Sequence, residues 1–315
     1  MKPLLSVAEA ATLVQASTAT IRRRIEDGNL NEVRDGAKVK VRLVDLQKLY
    51  PDAFPKIGTQ TAKCRVIAFA NQKGGVGKTT TCANLAAALS QDGTAVLAID
   101  CDPQGNLTQA LGPDPDALPL TLYNVLVEKE PLANVILTPI LGQKSLALVP
   151  SNLDLAAADH QLAGSVARET RLRLVLEPFL PHYQYILLDC PPALGLLTLN
   201  ALTAATEVIV PVDMGIFSLR GVAKLRDTIT EVRTVNPELG RVRALASRAD
   251  NTNLSVDVQA EMGRGFGKDM FETAIRRSVR VGEAQVNRTP LTIFRPKDPA
   301  ALDYLQLAEE VRNGA

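Results

Sequence analysis

The hydrophobic pattern of residues 64–315 consists of short apolar runs separated by longer segments with helical spacing. Such runs occupy residues 66–70, 95–99 and 185–188, and each is followed by a polar or glycine-rich turn. Short apolar runs between helical segments are typical of strands that are buried on both faces of a sheet. We therefore predict an α/β fold for this part of the chain, with a mostly parallel sheet flanked by helices.

The first 50 residues have a different pattern, with short helices and a hairpin. Residues 6–9 form a capping box that predicts a first helix, and a turn at 16–17 leads into a second helix over 18–25. Asp35-Gly36, between two alternating segments, predicts a hairpin, and a third helix is expected over about 44–50. Two helices followed by a basic hairpin predict a small winged helix-turn-helix domain.

The second helix of this domain is its most basic element. Ile21 and Ile25 share one face, so Arg22 and Arg23 project outward. The segment over about 4–50 resembles excisionase/MerR-type domains, which implies contacts with the DNA major groove from this helix and with phosphate or the minor groove from the wing. The candidate DNA-binding residues are Thr18, Thr20, Arg22, Arg23, Lys38 and Lys40. The alternative is a solvated basic face on a small docking domain.

Charge and composition support a division of the chain into two domains. The net charge of +1 over 315 residues combines +4 in residues 1–63 with −3 in the remainder. A basic N-terminal segment favours a nucleic-acid-binding module. Residues 51–63 are rich in proline, glycine and threonine and read as a linker. The predicted domains are therefore 1–50 and 64–315.

A glycine-rich loop follows the first apolar run of the larger domain. Residues 71–81 read Asn-Gln-Lys-Gly-Gly-Val-Gly-Lys-Thr-Thr-Thr. Between a strand and a helix, such a loop offers backbone N–H groups and the helix N-terminus to phosphate. Lys78 would reach the β- and γ-phosphates of a nucleoside triphosphate, and Thr79 would place its hydroxyl on Mg²⁺. The candidate nucleotide-binding residues are Lys73, Gly74, Gly75, Val76, Gly77, Lys78, Thr79 and Thr80.

The loop departs from the ordinary P-loop pattern at two positions. Gln72 stands where that pattern has a glycine, and a second lysine, Lys73, precedes the glycine pair. This Lys-Gly-Gly-x-Gly-Lys-Thr sequence is the deviant Walker A form and resembles the ParA/MinD class of P-loop ATPases. The alternative is a glycine-rich turn with no ligand.

Two later apolar runs end in aspartates. Asp100 and Asp102 follow the run at 95–99, and Asp189 ends the run at 185–188 in a Walker B pattern. Asp189 would bind Mg²⁺, usually through water, because Mg²⁺ keeps much of its hydration shell. Asp102 is the candidate for orienting the attacking water or holding a metal-bound water. The alternatives are an acidic turn at 100–102 and an aspartate that merely ends a strand.

The resemblance to ParA-type partition ATPases extends over nearly all of residues 64–315. It is carried by residues 71–85, 100–106, 185–211 and 279–299. It implies an ATPase in which Lys73 reaches across a homodimer interface to the partner's ATP, so that two ATP molecules lie between two chains. It assigns Lys73, Lys78 and Asp102 to catalysis. It also implies that the ATP-bound dimer binds DNA without sequence preference and that a ParB-like centromere-binding protein stimulates its ATP hydrolysis. Cycles of this kind segregate plasmid or chromosome DNA.

Several positions differ from the family pattern. Asn251 replaces an arginine used for DNA binding, and Arg220 replaces a glutamate. Arg276 and Ser278 replace the proline and asparagine that lie near the adenine, which leaves the base contact open. Arg280 matches a second DNA-binding arginine of the family. The candidates for non-specific DNA binding are therefore Arg276, Arg277 and Arg280.

Four other functions compete with partition as readings of this sequence. A membrane-cycling MinD-like protein carries a basic C-terminal amphipathic helix, whereas residues 303–312 are acidic. An iron–sulfur reductase needs exposed cysteines at a dimer face, whereas the four cysteines of this chain lie in or beside core elements of the P-loop domain. An ATP-controlled transcription regulator and a positioning ATPase for another cargo both remain open. Repression of its own operon is also compatible with partition.

Cysteine usage and hydropathy favour a cytoplasmic protein without membrane attachment, and the resemblance to partition ATPases implies association with the nucleoid. No apolar run approaches the roughly 18 residues that span a bilayer. The four cysteines are scattered without a C-x-x-C pair, so neither a disulfide framework nor a zinc site is expected. Cys101 and Cys190 lie in apolar strand contexts and are expected to be core residues.

Overall fold

The computed structural model describes residues 4–14, 16–35, 38–42, 45–46, 49–50, 63–214, 220–250 and 252–314. Residues 44, 47 and 48 of the predicted helix over 44–50, residues 51–62 of the linker and Asn251 lie outside these ranges. The side chains of Lys38 and Arg220 also lie outside the described part. The chain divides into two compact units, residues 1–59 and 60–315.

The N-terminal unit is a three-stranded antiparallel sheet with two helices. Its elements are β1 (Leu4–Ser6), α1 (Val7–Leu13), α2 (Thr18–Glu26), β2 (Glu32–Asp35) and β3 (Lys38–Arg42). The strand order is β1-β3-β2, and Asp35 is opposite Lys38 in the β2–β3 pair. The predicted hairpin is therefore confirmed. Strand β1 was not predicted, because three residues are too short to show a period.

The second helix of this unit begins at a side-chain cap. The Ser17 hydroxyl accepts a hydrogen bond from the Thr20 backbone N–H at 3.0 Å, which satisfies one of the free amides of the first turn. Ile21 is fully buried, whereas Arg22 and Arg23 are exposed. The helix thus presents its arginines to solvent, as the spacing of Ile21 and Ile25 predicted.

The larger unit is built on a seven-stranded, wholly parallel sheet within the described residues. The strands are β4 (Arg65–Phe69), β5 (Val96–Asp100), β6 (Leu146–Val149), β7 (Tyr185–Asp189), β8 (Glu207–Asp213), β9 (Arg241–Ala249) and β10 (Ile275–Arg276). Their order is β10-β9-β8-β4-β7-β5-β6. This confirms the predicted α/β architecture.

Helices connect these strands and cover both faces of the sheet. They are α3 (Lys78–Ser90), α4 (Asn106–Ala110), α5 (Leu132–Val135), α6 (Ala158–Gln161), α7 (Arg171–Leu176), α8 (Leu196–Ala204), α9 (Arg220–Val235), α10 (Asn253–Phe266), α11 (Arg280–Val286), α12 (Leu291–Phe294) and α13 (Pro299–Arg312). Short 3₁₀ and π turns lie between them, for example at Leu153–Ala157 and Asn124–Glu128. No helix in the described ranges combines the length and apolarity needed to cross a membrane.

Alternation along each strand divides the core into two layers. Val66 and Ala68 of β4 pack in one cluster with residues of α8 and α9, and Ile67 and Phe69 pack in the other with residues of α3 and α13. Because both faces of β4 are buried, its sequence is a continuous apolar run rather than an alternating one.

The topology brings the predicted site residues to one edge of the sheet. Strands β4, β7 and β5 are neighbours, and Phe69 is opposite Asp189, which in turn is opposite Asp100. In a parallel sheet the carboxyl ends of neighbouring strands meet at the same edge, which is where ligands bind in open α/β folds. The glycine-rich loop and both acidic strand ends therefore share one edge.

Candidate nucleotide-binding site

The glycine-rich loop joins β4 to the N-terminus of α3. Gly75 and Gly77 have φ angles of 72° and 89°, in the left-handed region that glycine adopts without strain. Gly77 is the N-cap of α3 and offers no side-chain cap. The first backbone N–H groups of the helix are therefore left for a ligand, and the helix dipole favours an anion there.

The ends of β8 and β9 hold the loop in place. Asn71 Nδ2 donates to the Pro211 carbonyl at 2.8 Å, and Ser247 Oγ donates to the Val76 carbonyl at 2.7 Å. Arg248, whose φ of 57° is unusual for a residue with a side chain, donates to the Gly75 carbonyl at 3.1 Å. Ser247 and Arg248 were not among the residues predicted from the sequence. The one sequence signal for them is their position near the carboxyl end of a strand, which places them at the ligand-binding edge of the sheet.

A cleft of about 860 Å³ opens over the loop. Its walls combine residues from several parts of the chain: the loop and helix α3, the turn after β5, the ends of β7 and β9, the segment after β10, and helix α13. The predicted site residues that line it are Gly74, Gly75, Gly77, Lys78, Thr79, Thr80, Asp102, Arg276 and Arg277. The structure thus brings most of the loop and Asp102 together, with Gln104, Asn106 and Tyr304 as lining residues that were not predicted.

Lys78 is positioned by burial and by the backbone of the loop. It is 7% exposed, and its ammonium group donates to the Lys73 carbonyl at 3.4 Å. A buried ammonium is favourable only where negative charge compensates for its lost hydration. Phosphates bound by the loop would supply that charge at this end of the cleft.

The two aspartates at neighbouring strand ends have different surroundings. The carboxylate of Asp100 accepts hydrogen bonds from the Thr108 backbone and hydroxyl, both at 2.8 Å, and from the Asp102 backbone at 3.1 Å. Burial raises its pKa to about 7. Both carboxylate oxygens of Asp189 are buried and lack a hydrogen-bond partner among the described residues. Burial, and then the nearby Asp100, raise the pKa of Asp189.

The unpartnered carboxylate of Asp189 fits a cation. Within the described ranges, no group of three or more His, Cys, Asp or Glu residues is arranged to hold a metal ion. Mg²⁺ does not need such a group, because it binds through one or two carboxylates together with phosphate oxygens and water. Thr79, in the first turn of α3, lines the cleft and could supply the hydroxyl ligand. The donor set thus suits Mg²⁺ bound together with a phosphate.

A tight turn fixes Asp102 at the side of the cleft. Asp102 Oδ1 accepts from the Gln104 backbone N–H at 3.0 Å, and its carbonyl accepts from the Gly105 N–H at 3.0 Å. Gly105 has a φ of 64°, and a Cβ there would lie 2.9 Å from Pro115 Cγ and 3.1 Å from the Ser151 carbonyl oxygen. Only glycine fits this position.

Lys73 is engaged within its own chain. Its ammonium group lies 3.1 Å from Asp213 Oδ2, and the two side chains are 36% and 24% exposed. Its backbone N–H donates to Asn71 Oδ1 at 3.0 Å. Asp213, at the end of β8, was not among the predicted residues.

The arginines predicted to contact DNA near this site differ in their partners. Arg276 forms a bidentate ion pair with Asp303, with both N–O distances at 2.8 Å, and Arg280 pairs with Glu283. Arg277 is exposed. The positive charge of Arg276 and Arg280 is therefore largely compensated, because each has an acidic partner.

In the N-terminal unit, the predicted DNA-contacting residues of α2 lie at its surface. Thr18, Thr20, Arg22 and Arg23 are all exposed. The Thr20 hydroxyl is 2.8 Å from Ser17 Oγ, and Arg23 lies 3.9 Å from Asp27. Lys40 is half-buried in β3, where it is opposite Ser6 of β1 and Val33 of β2.

The cysteines are not part of the site. Cys101 and Cys190 are fully buried, as predicted, and so is Cys82, while Cys64 is half-buried; all four are free. Burial raises the pKa of the Cys82, Cys101 and Cys190 thiols, which disfavours the reactive thiolate.

A parallel sheet with a glycine loop at its central strand and aspartates ending two neighbouring strands defines a P-loop nucleotide-binding protein. Residues 64–240 match the family described as an AAA domain. An uncharacterized protein of Mycobacterium tuberculosis is 45% identical over 263 residues, which make up 83% of this chain and 82% of that protein.

Relatives that carry functional names are also similar to this chain, over nearly their whole length. The sporulation initiation inhibitor protein Soj of Bacillus subtilis is 39% identical over 249 residues, 78% of this chain and 98% of Soj. The chromosome partitioning protein ParA of Caulobacter vibrioides is 40% identical over 252 residues, 78% of this chain and 93% of ParA. The chain therefore belongs to the ParA/Soj family of partition ATPases.

Solved structures of similar proteins share the fold. Cobyrinic acid a,c-diamide synthase from Mycobacterium smegmatis, with a bound ATP analogue and magnesium, is 35% identical with a TM-score of 0.68, covering 79% of this chain and 94% of that one. The septum site-determining protein MinD from Pyrococcus horikoshii, complexed with Mg-ADP, is 25% identical with a TM-score of 0.66, covering 79% and 96%. Both structures support the α/β fold with a mostly parallel sheet.

Proposed function

We propose that this protein binds ATP and Mg²⁺ and hydrolyses the ATP to ADP and phosphate. The observation that carries the proposal is the cleft that joins Lys78, Thr79 and Asp102, beside the buried and unpartnered carboxylate of Asp189. The magnesium and nucleotide in the related structures support the same assignment.

The geometry suits phosphoryl transfer to water, which needs positioning and charge stabilisation more than covalent chemistry. The loop amides, Gly77 and Lys78 hold the phosphates. Thr79 and Asp189 would hold a magnesium ion, Asp189 through water, and that ion would supply positive charge to the phosphate oxygens. Asp102 orients the attacking water, because its carboxylate is fixed by the turn after β5 and reaches the same cleft.

The proposal includes an ATP-dependent homodimer in which Lys73 contacts the nucleotide of the partner chain. Two lysines, Lys73 and Lys78, flank the glycines of the loop. Of these two, Lys78 lines the cleft of its own chain and Lys73 does not. Lys73 is partly exposed and paired with Asp213. Exposed ion pairs contribute about 0–1 kcal/mol; this pair is only partly exposed, and a phosphate would replace the negative charge of Asp213, so the exchange is energetically accessible.

DNA binding is proposed for both parts of the chain. Residues 1–50 would act as a winged helix-turn-helix, with α2 in the major groove and the β2–β3 hairpin as the wing. Its exposed arginines and antiparallel hairpin support this. For the ATPase domain, 64–315, Arg277 is the main candidate for non-specific binding, because Arg276 and Arg280 are ion-paired. Residues 51–63 would link the two.

The cellular role we propose is the segregation of plasmid or chromosome DNA by a cytoplasmic, nucleoid-associated ATPase that a ParB-like protein stimulates. The family of Soj and ParA supports this role. The N-terminal unit favours one second function, ATP-controlled transcriptional regulation, including repression of its own operon. A positioning ATPase for another cargo is a further alternative.

Phosphate release by the full chain, with and without DNA, tests the enzymatic proposal. Lys78→Ala should abolish nucleotide binding. Asp102→Ala should bind ATP normally but lose about 100-fold or more in turnover, because water is no longer oriented. Arg264→Ala, at an exposed ion pair outside the cleft, is the matched control and should hydrolyse ATP like the unmodified chain.

Two results would count against these assignments. Normal turnover by Asp102→Ala would remove that residue from the mechanism. A protein that footprints one operator but shows no turnover stimulated by DNA or a partner would be a pure regulator rather than a partition ATPase.

A further inference from the structure

A basic pocket lies at the edge of the parallel sheet opposite the nucleotide cleft. It has a volume of about 600 Å³ and is formed by α9, the start of β9 and the 3₁₀ turn at Gly267–Asp269. Arg241, which lines the pocket, begins β9, whereas Ser247 lies near the end of the same strand and donates to the Val76 carbonyl of the glycine-rich loop. At about 3.3 Å per residue, the pocket lies about 20 Å along the strand from that loop. It is therefore separate from the nucleotide cleft.

Five basic side chains line this pocket, and all but Arg243 are exposed. They come from α9, from the start of β9 and from the 3₁₀ turn: Arg226, Arg233, Arg241, Arg243 and Lys268. The two arginines of α9 are seven positions apart, so they lie on the same face of the helix. Among the described lining residues, Asp269 is the single acidic side chain.

Backbone carbonyls orient two of the exposed arginines. Arg233 Nε donates to the Leu239 carbonyl at 3.0 Å, and its Nη2 donates to the Gly240 carbonyl. Arg241 Nη1 donates to the Gly314 carbonyl. Carbonyl acceptors are uncharged, so these contacts hold the guanidinium groups in place and leave their positive charge uncompensated.

Two phenylalanine rings support the other two arginines. The guanidinium of Arg226 lies 4.9 Å from the centre of the Phe266 ring, and that of Arg243 lies 3.6 Å from the centre of the Phe271 ring. The Arg243 side chain is only 6% exposed, and its Nη2 donates to Glu310 Oε1 at 2.6 Å. Its Nε and Nη1 have no acceptor among the described residues. This buried arginine therefore brings unused donors to a pocket that it lines.

The charge of the pocket is strongly positive. Arg243 and Glu310 compensate each other, and Glu207, which is opposite Arg241 in the β8–β9 pair, is bound to Arg65. In the described part of the chain, no ion pair joins the four exposed cations to a carboxylate. Four positive charges against the one of Asp269 leave a net charge of +3. Like charges held this close favour a bound anion.

We propose that this pocket binds a small ligand with two linked phosphate groups, either a free diphosphate or a nucleoside diphosphate. The inference goes beyond the proposed function and does not rest on the nucleotide cleft. Guanidinium groups match phosphate oxygens bidentately. One phosphate group carries about −1.5 to −2 at pH 7, so two linked groups balance the charge of the pocket. A concave pocket of this size suits a small ligand.

Calorimetric titration of the full chain carrying Lys78→Ala, without Mg²⁺, tests this with pyrophosphate and ADP as probes. The background substitution and the lack of Mg²⁺ weaken binding at the glycine-rich loop. Lys268→Gln and Arg226→Gln each remove one exposed cation of the pocket, and Asp269→Asn removes its carboxylate. Arg264→Gln, at an exposed ion pair outside the pocket, is the matched control. Thermal unfolding of each variant shows whether the fold is retained.

Lys268→Gln and Arg226→Gln should each weaken pyrophosphate binding about three- to thirtyfold, because each removes a charge that contacts phosphate. Asp269→Asn should strengthen it about threefold, because a charge that repels the ligand is lost. Arg264→Gln should leave it unchanged. Opposite effects of the two kinds of substitution would not arise from a general loss of structure. Tighter binding of ADP than of pyrophosphate would identify a nucleoside diphosphate as the ligand, and weaker binding a free diphosphate.

The inference would be overturned if the folded chain bound neither probe at millimolar concentration, or if the pocket variants bound pyrophosphate as tightly as Arg264→Gln. Short duplex DNA and polyglutamate are the remaining probes. If Lys268→Gln and Arg226→Gln weakened the binding of either polymer, and pyrophosphate did not compete with it, the pocket would belong to nucleic acid or to an acidic protein instead. These results are independent of ATP turnover, so they do not depend on the outcome for the proposed function.

Discussion

Among single residues, Asp100 and Asp189 show how the environment assigns different roles to the same side chain. They are opposite each other at the ends of β5 and β7, and both are fully buried. Three hydrogen bonds satisfy the carboxylate of Asp100 and tie it to Thr108 and the backbone of Asp102. Asp189 has no such partner. Asp100 therefore organises the turn, and Asp189 is the side chain left for a cation.

The raised pKa of Asp100 predicts a pH dependence of stability. Its pKa of about 7 in the folded chain lies above the usual value near 4, so the folded state binds more protons between these two values. The free energy of unfolding should therefore fall as pH rises through this window, by at most about 1.4 kcal/mol per pH unit from this group. Asp100→Asn removes the contribution of this group.

Thermal unfolding of the two proteins between pH 5 and pH 8, without nucleotide or Mg²⁺, measures this effect. The Tm of Asp100→Asn minus that of the unmodified chain should increase with pH. A difference that stays constant across the range would show that the folded carboxyl group has an ordinary pKa.

Among elements, the turn between β5 and α4 shows what a local sequence signal predicts and what it does not. The sequence placed Asp102 directly after a buried strand, and the structure confirms that position. It gave no sign that Gly105 is enclosed by Pro115 and the Ser151 carbonyl, because these contacts depend on how distant segments pack.

Gly105→Ala should destabilise the protein by about 1–3 kcal/mol. About 1–2 kcal/mol is expected from a side chain in the left-handed region, and the close contact with the Ser151 backbone adds to it. Gly93→Ala is the matched control, since Gly93 has a φ of 86° but nothing within 4 Å of an added Cβ. Chemical denaturation of both variants compares them. An equal loss in the two would mean that the space around Gly105 is not restrictive.

The same distinction holds for the rest of the fold and site. Strands β4, β5 and β7, the glycine loop and Asp189 could be predicted, because each depends on a continuous run of residues with a recognisable period or spacing. The Lys73–Asp213 pair joins residues 140 positions apart, and the hydrogen bond from Ser247 to Val76 joins residues 171 apart. Asp303, which fixes Arg276, was missed for the same reason. Such contacts are set by tertiary packing and leave no local pattern.

In the whole molecule, the two compact units carry separate sets of candidate contacts. The N-terminal unit presents exposed arginines on α2, and the larger unit holds the nucleotide cleft. The proposed function therefore assigns sequence-specific DNA binding to one unit and ATP turnover to the other, and single substitutions should separate the two activities.

Arg23→Ala should weaken binding to the protein's own operator DNA about three- to tenfold while leaving ATP turnover unchanged, because one lost phosphate or base contact is worth about 1 kcal/mol or slightly more. Gel-shift titration and phosphate release measure the two effects on the same preparation. Arg264→Ala, at the exposed pair with Glu261 in the larger unit, is the control and should change neither activity. A parallel loss of turnover would contradict the separation of the units.

The most direct test of the central claim is the mass of the purified chain in solution, measured by light scattering with saturating Mg²⁺ and a non-hydrolysable ATP analogue. The account predicts that the mass doubles from the 33.8 kDa of one chain with the analogue but not with ADP, and that Lys73→Ala stays monomeric although it binds the nucleotide. A chain that remains monomeric with the analogue bound, or a Lys73→Ala variant that dimerises as well as the unmodified protein, would contradict it.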